Sequence, residues 1–493
     1  MKTIHIDPIT RLEGHGKIDI FVDDDGNVAD CFFIVPELRG FEQFCVGRPV
    51  EEMPRITTRI CGVCSEAHHM AASKACDAVY HVEPPPAGRK LRELLYSAFF
   101  TGDHATHFYI LAAPDFVCGP DAHPAKRNIL GLIEKVGLEA GKTVISARAA
   151  AHEIVSTLGG KTIHMVSAIP GGVSKGLNKE ERNRIVELAE QLVEFGKFTV
   201  EILNNVVLAN KEYLELILSD AYTHATHYMG TVDRNNHVNF YDGDIRVVDP
   251  NGREVARYAA ADYLAHVSER VEQWSYLKFP FIKEVGWKGF VDGASSGVYR
   301  ATPLSRLNAA DGMATPLAQA EYERFYETLT GDGSGLKPVH QTLATHWARV
   351  VELIYAAERT LELARDDEIL DPNFRTVPTE TPDEGVGCVE APRGTLTHHY
   401  TTDERGVLTR VNLIVGTTNN HAAICMSVKK AAQNLIRKGV EVTEGLLNRV
   451  EMAFRAYDPC FACATHTLPG QMPMIVRIRD RAGNVLAEGR RDG

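Results

Sequence analysis

Residues 59–68 read Arg59-Ile-Cys61-Gly-Val-Cys64-Ser-Glu-Ala-His68, and residues 458–466 read Asp458-Pro-Cys460-Phe-Ala-Cys463-Ala-Thr-His466. Each stretch holds a Cys-x-x-Cys pair, a spacing that serves a zinc knuckle, an iron–sulfur or other thiolate metal site, or a thioredoxin-like redox pair. A redox pair would explain one of them but not two, and no thioredoxin-like strand–helix context surrounds either. Together they offer four thiolates to one metal or cluster. In the usual four-cysteine zinc module the pairs lie within about 15–20 residues, whereas Cys61 and Cys460 stand 399 residues apart. A metal tied at both ends of a long chain sits in a core between elements, which suits catalysis better than a surface knuckle. Soft thiolates favour zinc, copper, iron–sulfur or low-valent nickel and iron centres, so spacing alone leaves structural zinc open. The other six cysteines (Cys31, Cys45, Cys76, Cys118, Cys388 and Cys425) stand singly and read as small buried hydrophobes.

Around these pairs the chain has an ordinary globular composition. Its 493 residues, 44% hydrophobic and 24% charged, give about three domains' worth of material and a large core without disulfide staples. A net charge of −12 argues against a general binder of nucleic acids or anionic membranes. The most apolar region, Tyr96 to Cys118, is interrupted by Asp103, His104, His107 and Asp115, which predicts no membrane span. The N-terminus has no apolar signal-peptide region. The expectation is a cytoplasmic protein, unless a partner subunit carries an export signal for it. Apolar residues recur every three or four positions over roughly 88–112, 143–159, 179–217, 338–366 and 442–457, predicting helices. In the third of these, Ile185, Leu188, Leu192 and Phe195 mark a buried face, and Lys179 to Arg182 a solvated first turn. Apolar runs at Ile18 to Val22 and Cys31 to Val35 flank Asp23-Asp-Asp-Gly-Asn27, a hairpin signal. Residues 228–300 turn polar, aromatic and Gly-rich and read as a β-containing insertion. Residues 367–394 read as irregular, Arg410 to Val415 as a strand, and the stretch after His466 as strand–turn–strand.

With Arg11-Leu-Glu13-Gly-His15 and Arg39-Gly-Phe-Glu42, the two cysteine motifs closely resemble the large catalytic subunit of nickel–iron hydrogenases, and the resemblance runs the length of the chain. It implies an α+β, predominantly helical fold with a central helical bundle and small peripheral β pieces. Residues 1–466 would form a single catalytic domain. Residues 467–493 would be a C-terminal extension of the kind that a maturation endopeptidase removes just after the motif's histidine. The implied reaction is reversible heterolytic cleavage of H2 to protons and electrons. Cys61 and Cys460 match the terminal nickel thiolates, and Cys64 and Cys463 those bridging nickel to an iron that carries CO and cyanide. His68, four residues after Cys64, matches a hydrogen-bond donor to a bridging sulfur. Glu13 matches the proton-relay glutamate. Arg393, in Glu390-Ala-Pro-Arg393-Gly394, matches the guanidinium above the open metal position, and Asp103 and Asp458 the carboxylates that flank it. Glu42, His466 and the Leu413 carbonyl match ligands of a further cation, usually Mg. Thr417 matches a hydrogen-bond donor to cyanide, although Gly416 departs from the proline of many family members. His69, His398 and His399 match no motif and read as surface or core histidines.

Once the four motif cysteines are assigned, the remaining six form no set for an iron–sulfur relay. A separate small subunit carrying iron–sulfur clusters is therefore implied. Ser65-Glu-Ala-His-His-Met-Ala-Ala looks most similar to the cytoplasmic multi-subunit branch, of the F420-non-reducing, heterodisulfide-reductase-associated type. No G-x-G-x-x-G follows a strand, consistent with acceptor choice residing in partner subunits. Two rivals come from other classes. One is the quinone-side relative in respiratory complex I, whose hallmark is loss of the cysteine pairs; both pairs are present here, which argues against it. The other is a zinc-stabilised structural subunit with the same four thiolates and no redox activity.

Overall fold

Four helices make the centre of the molecule: Pro86–Thr106, Leu138–Gly159, Lys179–Ile202 and Thr345–Arg365. The structure, a computed structural model, describes residues 2–330 and 338–465 and the backbone of the strands Met474–Arg479 and Val485–Arg491. Thr345–Arg365 packs on Pro86–Thr106 and Lys179–Ile202, and Leu138–Gly159 packs on those same two. Asn178 and Glu181 form a reciprocal capping box at the start of Lys179–Ile202. There Ile185, Leu188, Leu192 and Phe195 are buried, while Lys179 and Glu180 face solvent. Two helices stop earlier than periodicity predicts. The first leaves α geometry after Thr106 and runs as wider turns toward Pro114, which has no N–H to give. The other widens over Leu203–Leu208, and Asn210 then caps a separate helix, Lys211–Leu218.

Thr345–Arg365 is buried on nearly every side, so its charges must be satisfied internally. Glu352 takes both arms of Arg306 at 2.6 and 2.7 Å and faces His104 Nε2 at 2.9 Å. Arg306 also reaches Glu390 at 3.0 Å and donates to the carbonyls of Ala391 and Pro392 at 3.0 and 3.2 Å. This network ties the central helices to the turn that carries Arg393.

That turn joins two strands of an antiparallel sheet, Glu384–Ala391, Gly394–Thr402 and Leu408–Ile414, which lies on the helix Ser65–Val79. The strand Glu384–Ala391 corrects the expectation of irregular chain over 367–394. Its sequence, Glu384-Gly-Val-Gly-Cys-Val-Glu-Ala, carries two glycines that lower strand propensity. Their purpose is close approach. A Cβ on Gly385 would stand 2.7 Å from the Ala75 carbonyl oxygen, and one on Gly387 2.8 Å from the Lys74 carbonyl carbon.

The hairpin around Asp23–Asn27 pairs Lys17–Val22 with Val28–Ile34, extended by Lys2–Ile6, and packs on the helix His421–Leu435. Between 227 and 300 the chain forms a four-stranded sheet (His227–Val232, Asp244–Val248, Glu254–Tyr258, Tyr299–Arg300) and the hairpin Val267–Val271 with Lys278–Ile282. Met474–Arg479 and Val485–Arg491 pair antiparallel. Among the described residues no helix is long and apolar enough to cross a membrane.

Candidate metal centre

Cys61 follows the tight turn Thr57–Ile60 in extended backbone, and its sulfur accepts N–H bonds from Val63 at 3.2 Å and Cys64 at 3.4 Å. Cys64 stands at the N-cap of Ser65–Val79, and Cys460 at the N-cap of the short helix Phe461–Ala464. The two pairs meet in the core. Cys61 Sγ lies 3.3 Å from Cys460 Sγ, Cys64 Sγ 3.2 Å from Cys463 Sγ, and Cys460 Sγ 2.9 Å from Cys463 Sγ. All four sulfurs are buried and within 4.8 Å of one another.

Two clasps bring these distant loops together. Glu13 pairs with Cys460 as a parallel bridge, its carbonyl accepting the Phe461 N–H at 3.0 Å. Gly14 makes that possible: its φ is +88°, and a Cβ there would stand 2.9 Å from Phe461 Cβ. The second clasp is Arg39. Its guanidinium donates to the Ile60 and Ala462 carbonyls, the latter at 3.1 Å, and its own N–H donates to the Thr465 carbonyl at 2.7 Å. One arginine thus holds the residues immediately before Cys61 and Cys463.

Four thiols this close cannot all ionise without a cation. Hydrogen bonds from Cys460, Cys463 and Cys64 hold Cys61 well below the usual thiol value. Burial pushes Cys460 and Cys463 well above it, and contact with the Cys61 and Cys64 sulfurs adds to the rise. A bound metal removes this conflict by deprotonating its ligands outright. With metal–sulfur bonds of about 2.3 Å, a tetrahedral site has edges of roughly 3.8 Å, within the observed separations of 2.9 to 4.8 Å. The donor set fits a soft metal.

The surroundings distinguish this site from a closed structural one. Arg393 Nη2 lies 3.1 Å from Asp103 Oδ1 and 3.0 Å from Asp458 Oδ2. Burial alone would lower the Arg393 pKa, but Asp103 and Asp458, then the sulfurs of Cys64 and Cys460, more than offset it and keep the guanidinium charged. Its Nε and Nη1, like Asp103 Oδ2, are buried without hydrogen-bond partners among the described residues. Asp458 holds its position at the cost of a left-handed backbone, φ 55°, and burial raises its carboxyl to about 7. A structural zinc knuckle needs no buried cation with unused donors beside its thiolates. On the other side, Glu13 Oε2 accepts from Cys460 Sγ and from the Ala462 N–H, both at 3.0 Å. Burial first, and then the Cys61 charge, raise the Glu13 carboxyl above its ordinary value. Glu13 is half-buried, so it lies between the sulfurs and solvent.

The remaining candidates are placed as follows. Thr417 Oγ1 accepts the Cys460 N–H at 3.1 Å. Glu42 meets Leu413, though through the Leu413 N–H, which donates to Glu42 Oε1 at 2.8 Å. Lys278 Nζ stands 3.9 Å from Glu42 Oε2. His466 lies outside the described residues. His68 is buried one turn after Cys64, and its Nδ1 lies 3.1 Å from His398 Nε2. His69 is a core histidine, bonded to the Pro54 carbonyl at 2.7 Å and the Ala168 N–H at 2.9 Å. His399 is also buried, between Tyr263 at 3.0 Å and Glu384 at 2.6 Å. Arg39 and His398 are among the residues to which the sequence alone gives no role. Only the proximity of Arg39 to Glu42 in one motif, and the alternation of His398 with Tyr400, hinted at them.

Comparison with known proteins agrees with this geometry. The family profile described as nickel-dependent hydrogenase matches residues 39–129 and 297–466, and one described as HoxL-like matches residues 3–38. The chain is 50% identical over 486 residues, 99% of each chain, to an F420-non-reducing hydrogenase iron-sulfur subunit of Archaeoglobus profundus. It is 37% identical, over 98% of each chain, to the beta subunit of the NAD-reducing hydrogenase HoxS of Cupriavidus necator. A crystal structure of an NAD+-reducing NiFe hydrogenase in the H2-reduced state superposes with a TM-score of 0.87 at 37% identity, covering 94% of this chain and all of that one. Four buried sulfurs drawn from both ends of the chain, flanked by a carboxyl and a clamped guanidinium, are therefore the metal centre of a catalytic large subunit, and the chain belongs to the nickel-dependent hydrogenases.

Proposed function

We propose that the four thiolates would hold a nickel–iron centre whose iron carries CO and cyanide, with Cys61 and Cys460 as terminal ligands of nickel and Cys64 and Cys463 as the thiolates that nickel and iron would share. The bound centre supplies a place for H2 to be polarised and for its two electrons to be taken up. The chain's own residues handle the proton and exclude water. Glu13 receives the proton from the Cys460 sulfur across the 3.0 Å contact, the single observation that carries this reading. Its half-exposed position gives the proton an exit. Asp103 and Asp458 hold Arg393 as a fixed cation beside the sulfurs, with two donor nitrogens available to the reacting molecule. Thr417, its oxygen already accepting the Cys460 N–H, has its hydroxyl proton available for cyanide. His68 would donate to the sulfur of one of the shared cysteines. Glu42, the Leu413 carbonyl and His466 would hold a Mg ion or similar cation.

Electrons leave to an iron–sulfur small subunit, and from there to further electron-transfer subunits of a cytoplasmic complex. The name of the Archaeoglobus profundus relative supports an F420-non-reducing type, for which we favour a heterodisulfide-reductase-linked acceptor. A maturation endopeptidase would cut after His466, removing residues 467–493 from a domain formed by 1–466. Infrared spectroscopy with metal analysis of the purified complex tests the reading. CO and cyanide bands with nickel and iron near one each are expected; zinc alone without those bands would overturn it.

A further inference from the structure

His398 and Tyr400 lie two residues apart on the strand Gly394–Thr402, so both side chains leave the same face of the sheet. Their cross-strand partners are Gly387 and Gly385. Those are the glycines whose missing Cβ atoms let the helix Ser65–Val79 settle directly onto the sheet. The close approach brings His398 Nε2 to 3.1 Å from His68 Nδ1, while His398 Nδ1 lies 2.5 Å from the Tyr400 hydroxyl. All three side chains are fully buried.

The direction of this chain follows from donor and acceptor counting. The Tyr400 hydroxyl has no other hydrogen-bond partner among the described residues. If it accepted from His398, its own proton would be left in the core with no acceptor, a condition folded proteins avoid. The hydroxyl therefore donates to Nδ1 of His398. A neutral imidazole carries one proton, so that of His398 is on Nε2 and is donated to Nδ1 of His68. The proton of His68 is then on its Nε2. We infer that Tyr400 and His398 are positioning residues that fix the tautomer of His68, so that its Nε2 presents a permanent donor and never a lone pair to the metal-bound sulfur. The inference rests on the donor role proposed above for His68. Without the lock, the alternative tautomer would turn a lone pair toward a thiolate, replacing an attraction with a repulsion.

The test uses the holoenzyme complex and the iron-bound CO stretch. A bridging thiolate that loses its hydrogen bond donates more charge to iron, which lowers that frequency. Tyr400→Phe keeps the ring and removes only the donor, so the band should move down, in the same direction as in His68→Ala, with nickel and iron contents unchanged. His399→Gln, on the opposite face of the strand, should leave the band in place. A shift in His68→Ala with none in fully metallated Tyr400→Phe overturns the lock while leaving the role of His68 intact. No shift in His68→Ala overturns that role and the lock with it. Should Tyr400→Phe fail to mature, NMR of the wild-type complex with isotope-labelled histidine decides the matter: a His398 proton on Nε2 supports the inference, and one on Nδ1 overturns it.

Discussion

Replacing Glu13 by Gln isolates proton acceptance from shape. In the structure one carboxyl oxygen, Oε2, takes both the Cys460 thiol and the Ala462 N–H at 3.0 Å. A glutamine must place its carbonyl oxygen there, because its NH2 would face another donor at Ala462. The amide can therefore keep both contacts and the parallel bridge to Cys460, losing only the ability to take up a proton. General acid–base catalysis contributes about 10²–10⁴-fold, so H2-dependent dye reduction should fall by that factor, a rise in barrier of about 3–5 kcal/mol. Proton–deuterium exchange should fall in parallel, while nickel content and the infrared bands stay unchanged. Glu13→Asp should fall between the two, because its carboxyl retreats by about one C–C bond, ~1.5 Å, and reaches the sulfur through water. Wild-type exchange in Glu13→Gln with full nickel would refute the relay, and loss of nickel would make Glu13 a structural residue instead.

Cys460→Ala should abolish activity and metal binding, whereas Cys31→Ala, remote from the four sulfurs, should retain most of both; metal analysis and dye reduction check this. Arg306→Met strands the buried carboxylates of Glu352 and Glu390. It should cost about 3–5 kcal/mol, seen as a thermal midpoint lowered by several degrees, with partial recovery when Glu352 and Glu390 become Leu and Met. Burial lowers His69 and His104 to about 4 and His346 to about 3. The unfolded chain therefore binds more protons between the ordinary histidine value, about 6.5, and those folded values. The resulting stability is complete above about 6.5 and is lost progressively as pH falls toward 4. Thermal midpoints that stay flat across that window would refute it.

The two Cys-x-x-Cys pairs are legible from residue type and spacing alone, because a soft metal demands rare side chains at fixed intervals. Glu13, Asp103, Arg393 and Asp458 are common residue types that only the family resemblance singles out, and in the structure they stand beside the four sulfurs. The clasp and the supporting residues were less legible, for a physical reason. Arg39 acts on carbonyls, which every residue has, so nothing in the sequence marks its partners at Ile60, Ala462 and Thr465. Arg306 likewise serves residues 46 and 84 positions away. The strand at 384–391 is not legible in the sequence because Gly385 and Gly387 answer to a helix about 300 residues earlier rather than to local propensity. Helix periodicity was reliable for the buried face of Lys179–Ile202 but could not foresee where Asn210 would restart the chain.

The parallel bridge between Glu13 and Cys460 has a consequence for how the enzyme comes into being. Its partners are separated by 447 residues, so it is among the last contacts that synthesis permits, and closing so long a loop costs about 5 kcal/mol of chain entropy. A ribosome cannot deliver a half-built version of this centre with three sulfurs in place, since two arrive only at the end. A metal can meet all four thiolates only after the chain has been made through Cys463. A chain that stops before Cys460 carries only Cys61 and Cys64 of the four ligands, so it has half a centre however well the rest of it folds.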